Sequence, residues 1–295
     1  MSDFFLGIDG GGTTCRAAIA NQSGEIIGRG TSGSANIVSD PDAARKHILD
    51  ASLMALSAAG ISETCLSTIA AVIGAAGATI RHSADALRLS LPFHHALVLS
   101  DGEIALEGAF GSQDGSVAIL GTGTYFLCRV QGHVSTVGGW GFLIGDGGSG
   151  ASIGRAALQE TILALEGIRT ATPLCTAIAS RFDDSPADMV DFAQGATPAD
   201  FASHAPEVFA AATAGDAAAV RIIRQAAHQV DEALDRLTVL GGKLPLCLLG
   251  GLSSLYPPFL AARHRMRLET PKGDAVDGAL HLAKVRFCQR AGEAA

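Results

Sequence analysis

The residues whose types and spacing could do chemistry are concentrated in a few glycine-rich segments. Asp9-Gly-Gly-Gly-Thr-Thr14 and Gly121-Thr-Gly-Thr124 are turns in which glycine leaves backbone N–H groups approachable and threonine adds hydroxyls. An apolar, strand-like run precedes each, Phe4 to Ile8 and Val117 to Leu120, and a second apolar run follows each. Two strand-turn-strand units with Gly/Thr tips suit the gripping of a phosphate chain from both sides. Gly11, Gly12, Thr13, Thr14, Gly121, Thr122, Gly123 and Thr124 are therefore the candidate phosphate contacts. Asp9, an acid at a strand end directly before the glycines, can hold Mg2+, directly or through water. For the first turn alone, an ordinary hairpin with a glycine tip is the competing reading. No Lys follows the glycines, so it is not a Walker P-loop, and the strand-like run after Thr14 separates it from a dinucleotide fingerprint.

Asp101 follows the apolar run Ala96 to Ser100, at the carboxyl end of an expected buried strand, where ligands lie in open α/β sheets. A carboxylate there can take a proton from an attacking hydroxyl or orient it. It can equally serve as the N-cap of a helix Gly102 to Phe110. The densest glycine stretch, Gly138 to Gly150, holds Trp140, the chain's one tryptophan, and Asp146, with glycines that let backbone and a small ligand come close. Gly250, Gly251 and Ser253 form a turn from strand to helix against which an adenine could lie, a weak signal by itself. The nine histidines show no metal-ligand spacing, and His94, His95, Arg81 and His82 read as surface residues.

Elements that must position these groups follow from caps and periodicity. Asp40 as N-cap, Pro41 at the first position and Gly60 past the end delimit one helix. Ile69 to Gly74 and Ala96 to Ser100 read as strands buried on both faces, and their alternation with helices makes the class α/β. Helices are expected over Ser149 to Gly167, Asp216 to Gly241 and Ala275 to Arg290, with a short buried strand Leu246 to Leu249. Between Thr170 and Gly215, Pro173, Pro186, Pro198 and Pro206 break short helices, which reads as an insertion. The expected division is residues 1–112, completed by helix 275–290, and residues 113–274, with the insertion near 170–215.

Composition bounds the function. A chain of 295 residues with 48% hydrophobic content buries a substantial core of two ordinary domains. Its net charge of −8 argues against nucleic acid or an anionic membrane as partner. The first residues lack a signal-peptide pattern, and the uncharged run Thr64 to Ile80 contains glycines and hydroxyls, so a cytoplasmic protein without membrane spans is expected. Six scattered cysteines with no C-x-x-C pair give no signature for zinc or an iron–sulfur cluster, and read as reduced thiols.

Taken together, the two turns, the Gly138 to Gly150 block and Leu249-Gly-Gly-Leu-Ser253 resemble the sugar-kinase, Hsp70 and actin superfamily. More narrowly the chain resembles the BadF/BadG/BcrA/BcrD-type ATPases, in the branch holding glucosamine and N-acetylglucosamine kinases. Ser32-Gly-Ser-Ala-Asn-Ile37, Gly167-Ile-Arg169 with Thr172-Pro-Leu-Cys175, and Asp274-Ala-Val-Asp-Gly-Ala-Leu280 carry that narrower likeness. The resemblance implies two RNase-H-like lobes, as in actin-like ATPases, with a nucleotide and sugar cleft between them. It implies an ATP-dependent kinase that phosphorylates the C6 hydroxyl of glucosamine, with N-acetylglucosamine as the alternative acceptor and Mg2+ as cofactor. Asp101 would be the catalytic base; Asn36, Asp101, Thr122, Trp140 and Asp146 would bind sugar; Gly250, Gly251 and Ser253 would bind adenosine; Asp9 would support the metal. Gly74-Ala-Ala-Gly77 lacks a serine that N-acetylglucosamine kinases carry near the acetamido group, whereas Gly139-Trp-Gly141 looks more like theirs. A dehydratase-activating ATPase of the same group would need clustered cysteines. Oligomeric state stays open, a homodimer included.

Overall fold

The computed structural model describes residues 4–288, which fall into two compact units. The first runs to Asp114 and resumes at Thr270; the second spans Gly115 to Glu269.

In the first unit, β1 (Phe4–Gly10), β2 (Cys15–Asn21) and β3 (Ile26–Ser32) form an antiparallel meander, followed by α1 (Pro41–Ala58), β4 (Ala70–Ala75), α2 (Arg81–Ser90), β5 (His95–Ser100) and α3 (Asp101–Phe110). The sheet order is β3-β2-β1-β4-β5, with β1, β4 and β5 parallel. Alternation along β1 sends Leu6 and Ile8 into one core, with Ile48 and Leu56 of α1, while Phe5 faces the other. Each such aliphatic residue, fully withdrawn from water, contributes about 1.5–3 kcal/mol. Asp40 caps α1 through a 2.9 Å bond from the Ala43 N–H, with Pro41 in the first turn. Gly28 and Gly30 are required on β3, because a Cβ at either would overlap carbonyls of α1. β5 departs from expectation: it is the edge strand, with only Ser100 buried, because β4 covers just one side of it.

The second unit repeats the plan with β6 (Gly115–Leu120), β7 (Thr124–Val130) and β8 (His133–Gly138), an antiparallel meander, followed by α4 (Gly150–Leu165). Then come α5 (Pro173–Ala179), α6 (Pro186–Gly195), α7 (Pro198–Ala202), α8 (Ala205–Thr213), α9 (Ala217–Gly241), β9 (Leu246–Leu249) and α10 (Ala262–Arg265). The order is β8-β7-β6-β9, with β9 parallel to β6. Pro173, Pro186 and Pro198 start helices rather than breaking them: each occupies the first turn behind a capping Thr172, Ser185 or Thr197. Proline's fixed φ and missing N–H suit that position. α9 buries Ile223, Ala227, Val230, Leu234 and Leu237 along one stripe.

The chain returns to the first unit as α11 (Ala275–Cys288), whose Val276, Ala279, Leu280 and Ala283 complete the core around Phe5, Ala18 and Val72. Gln289 and Arg290, expected in this helix, lie outside the described residues. α11 approaches closely through glycine: a Cβ at Gly278 would overlap the Ile104 carbonyl, and one at Gly108 would overlap the Asp274 carbonyl.

Candidate active site

Parallel pairing brings the first unit's candidates to one sheet edge. Asp9 lies in register with Gly74 and Gly74 with Leu99; Gly10 lies with Ala75 and Ala75 with Ser100, so Asp101 comes one residue past the sheet. Loops are stitched across that edge: the Ala76 N–H donates to the Gly10 carbonyl at 2.8 Å, and the Ala35 N–H to that of Gly11 at 3.0 Å. The Ile37 N–H then reaches the Ala76 carbonyl at 3.0 Å. Asn36, between them, accepts at Oδ1 from the Val38 and Ser39 N–H groups, at 3.0 and 3.2 Å, which fixes its amide. The Gly11 N–H donates to the Thr14 carbonyl at 3.1 Å and closes the first turn, leaving Gly12, Thr13 and Thr14 exposed at its tip.

Asp101 opens α3 but does not cap it. The cap is Ser100: its Oγ accepts from the Glu103 N–H at 3.2 Å, while the Glu103 carboxylate accepts from the Ser100 N–H at 3.0 Å. The capping alternative for Asp101 is thereby corrected: a serine one residue earlier already satisfies the helix. Asp101 Oδ1 accepts only a local bond, from the Gly102 N–H at 2.9 Å. Burial pushes its carboxyl above the usual carboxylate range, the Gly102 N–H pulls it down, and the negative charge of Asp9 pushes it up. Asp9 is raised too, chiefly by burial, against the opposing pull of Arg16. Gly74 lets α3 come in, since a Cβ there would overlap the Ile104 side chain and stand 3.3 Å from the Asp101 Cα.

The second unit has its own glycine edge. The Gly121 N–H donates to the Gly123 carbonyl at 3.0 Å, and the Gly121 and Thr122 carbonyls accept from the Gly150 and Ala151 N–H groups of α4, at 2.8 and 3.2 Å. The turn thus rests on the helix N-terminus. Asp146, at φ 58°, lies against it: a Cβ at Gly123 would stand 2.7 Å from Asp146 Oδ2. Burial raises the Asp146 carboxyl, and hydrogen bonds from the Thr124 and Gly141 backbone lower it. In the same loop Trp140 is 77% exposed, which leaves its indole face free for a ligand. Thr122, Asp146 and the loop carrying Trp140 therefore belong to the second unit, Asn36 and Asp101 to the first.

Gly250 sits at φ 89° against the Leu120 carbonyl, 2.5 Å from where its Cβ would be, so only glycine fits. Gly251 faces open space, and the Ser253 N–H bonds to the Gly250 carbonyl at 3.1 Å. The expected passage from strand to helix is corrected: Gly250 to Leu260 is a series of turns, and the next helix is α10. Leu252, Tyr256 and Leu260 are buried at helical spacing, yet Pro257 and Pro258 cannot donate the bonds a helix needs.

Two charged residues, Arg16 and Asp274, stand at this edge with no role there expected of either from sequence alone. Arg16 stands directly opposite Asp9 in the β1–β2 register, its Nη2 2.6 Å from Asp9 Oδ2 and its Nη1 3.2 Å from Asp274 Oδ2. The signal was present, because a tight turn between Asp9 and Arg16 forces them into a cross-strand pair. Among the described residues no group of three or more His, Cys, Asp or Glu could hold a metal unaided.

An antiparallel meander followed by parallel strands, two in the first unit and one in the second, is the two-sheet ATPase fold shared with solved sugar kinases. The chain belongs to the BadF/BadG/BcrA/BcrD ATPase family, whose model matches residues 6–266. It is 33% identical over 282 residues to the glucosamine kinase GspK of Vibrio cholerae, covering 95% of this chain and 96% of that one. It is 28% identical to the N-acetylmuramic acid/N-acetylglucosamine kinase of Clostridium acetobutylicum, over 95% of this chain and 98% of that one. A solved Chromobacterium violaceum protein, named as a candidate N-acetylglucosamine kinase, superposes with a TM-score of 0.88 at 31% identity, over 95% of this chain and 99% of that one. A Streptomyces griseus ROK-family glucokinase, at 16% identity and a TM-score of 0.58, shares the fold.

Proposed function

We propose that this chain is an ATP-dependent amino-sugar kinase that transfers the γ-phosphoryl group to the C6 hydroxyl of glucosamine. Asp101 accepts the hydroxyl proton while the sugar oxygen bonds to the γ-phosphorus; the bond to the β,γ-bridging oxygen breaks, and ADP leaves. The observation that supports this role is the Ser100–Glu103 capping box, which satisfies the helix and leaves Asp101 without a structural task. A buried carboxylate raised toward neutrality is a better base than a solvated one.

Gly11 to Thr14 and Gly121 to Thr124 are assigned to the ATP phosphates, and Gly250, Gly251 and Ser253 to adenosine. Asn36, Asp101, Thr122, Trp140 and Asp146 are assigned to the sugar. A single carboxylate at a strand end beside a phosphate-binding turn fits Mg2+, which takes one or two carboxylates and fills its remaining positions with water and phosphate. Asp9 supplies that carboxylate. A Mg2+ held there with ATP would supply neutralisation of the charge that builds on the phosphate oxygens.

N-acetylglucosamine is the competing acceptor, favoured by the relatives that act on it and by the Gly139-Trp-Gly141 sequence. Glucosamine is preferred because it is the substrate in the name of the relative at 33% identity. The proposed work is cytoplasmic; among the described residues no helix is long and apolar enough to cross a membrane. ADP release measured with glucosamine, N-acetylglucosamine, glucose and mannosamine tests the reading. Glucosamine is expected to stimulate turnover most; turnover indifferent to every sugar overturns it.

A further inference from the structure

Arg16 and Asp274 have no part in the proposed chemistry, yet they form a charged chain that ends on Asp9. Asp274 immediately precedes α11 and divides its carboxylate between two tasks. Its Oδ1 accepts from the Asp277 N–H at 3.0 Å, and the Asp277 carboxylate accepts from the Asp274 N–H at 3.0 Å, a reciprocal cap. Its other oxygen, Oδ2, takes Arg16. Arg16 reaches Asp9 with its second nitrogen, and its side chain is 46% exposed against 15% for Asp9, so the guanidinium has room to swing and the carboxylate does not.

We propose that Asp274 is a positioning residue that competes with Asp9 for Arg16 and so keeps Asp9 available to a divalent cation. The inference rests on the assignment of Asp9 to Mg2+. Two carboxylates and one guanidinium leave a net charge that attracts a cation. When a cation takes Asp9, Arg16 retires onto Asp274 and remains paired. With Asp274 neutral, Arg16 cancels the charge of Asp9, and displacing it strands an unpartnered guanidinium. Arg29 and Asp277 flank this chain at 3.8 Å from one another, and their opposite charges leave its balance unchanged.

Asp274→Asn isolates the charge, since asparagine caps a helix as well as aspartate does. The test titrates Mn2+ into the full chain with a saturating non-hydrolysable ATP analogue and reads binding by electron paramagnetic resonance, beside a thermal melt. Asp274→Asn is expected to weaken Mn2+ binding roughly three- to tenfold, the effect of one partly screened charge, at an unchanged Tm. Asp274→Glu, which keeps the charge, is expected to lose less than Asp274→Asn. Wild-type Mn2+ affinity in Asp274→Asn, or equal losses in both variants, overturns the inference and leaves the Asp9 assignment standing. Asp9→Asn with wild-type Mn2+ affinity overturns that assignment, and this inference with it.

Discussion

At the scale of single residues, two carboxylates carry the proposed chemistry, Asp9 near the end of β1 and Asp101 just past β5, on parallel strands with β4 between them; burial raises both, with the charge of Asp274 adding to Asp9 and that of Asp9 to Asp101. Asp101→Asn should lower kcat by about a thousandfold or more while ATP binding stays near wild type, as a kcat measurement beside a nucleotide titration would establish. The same substitution should stabilise the fold. A carboxyl whose native pKa lies above its unfolded value contributes stability fully present below the unfolded pKa and lost as pH rises through the native one. Asp101→Asn should therefore melt a few degrees above wild type at neutral pH, with the gap closing below about pH 4, where both forms are neutral. In wild type, kcat/KM should fall as pH drops through a value above the ordinary carboxylate range, where the base becomes protonated. An acid limb at or below that range would contradict the base assignment.

At the scale of elements, the site depends on how helices are started and how closely they pack. Ser100→Ala removes the α3 cap and should cost about 1 kcal/mol, and because Asp101 is the first residue of that helix it should lower kcat as well. Glu103→Gln retains the reciprocal bond and should do neither. Gly154→Ala places a Cβ into the Phe201 carbonyl, so α4 must move off α7, a loss of about 3 kcal/mol. Gly195→Ala meets nothing and should be neutral or stabilising, and urea melts of the pair would distinguish the two glycines. Much at this scale was legible: Asp40, Ser149 and Asp216 stand where helix caps belong, and the glycines after β1, β6 and β9 mark turns. Three features were not. Proline reads as a breaker until the residue before it proves to be a cap. Nothing in Ala96 to Ser100 says whether a strand has one neighbour or two. The spacing of Leu252, Tyr256 and Leu260 is helical although the prolines between them forbid the helix.

At the scale of the whole molecule, the repeated turn was the legible clue to two similar sheets, since local glycine patterns and strand order both follow from one supersecondary plan. Long-range pairing was hidden. Asp274 lies 258 positions from Arg16, and no local periodicity links them; only the return of α11 to the first unit does. The central claim is phosphoryl transfer to an amino sugar, and 31P and 1H NMR of a reaction containing the chain, ATP, Mg2+ and glucosamine tests it most directly. A phosphomonoester resonance coupled to the two protons on C6, growing in step with ADP, is expected. ATP converted to ADP and inorganic phosphate at the same rate with and without glucosamine would contradict it.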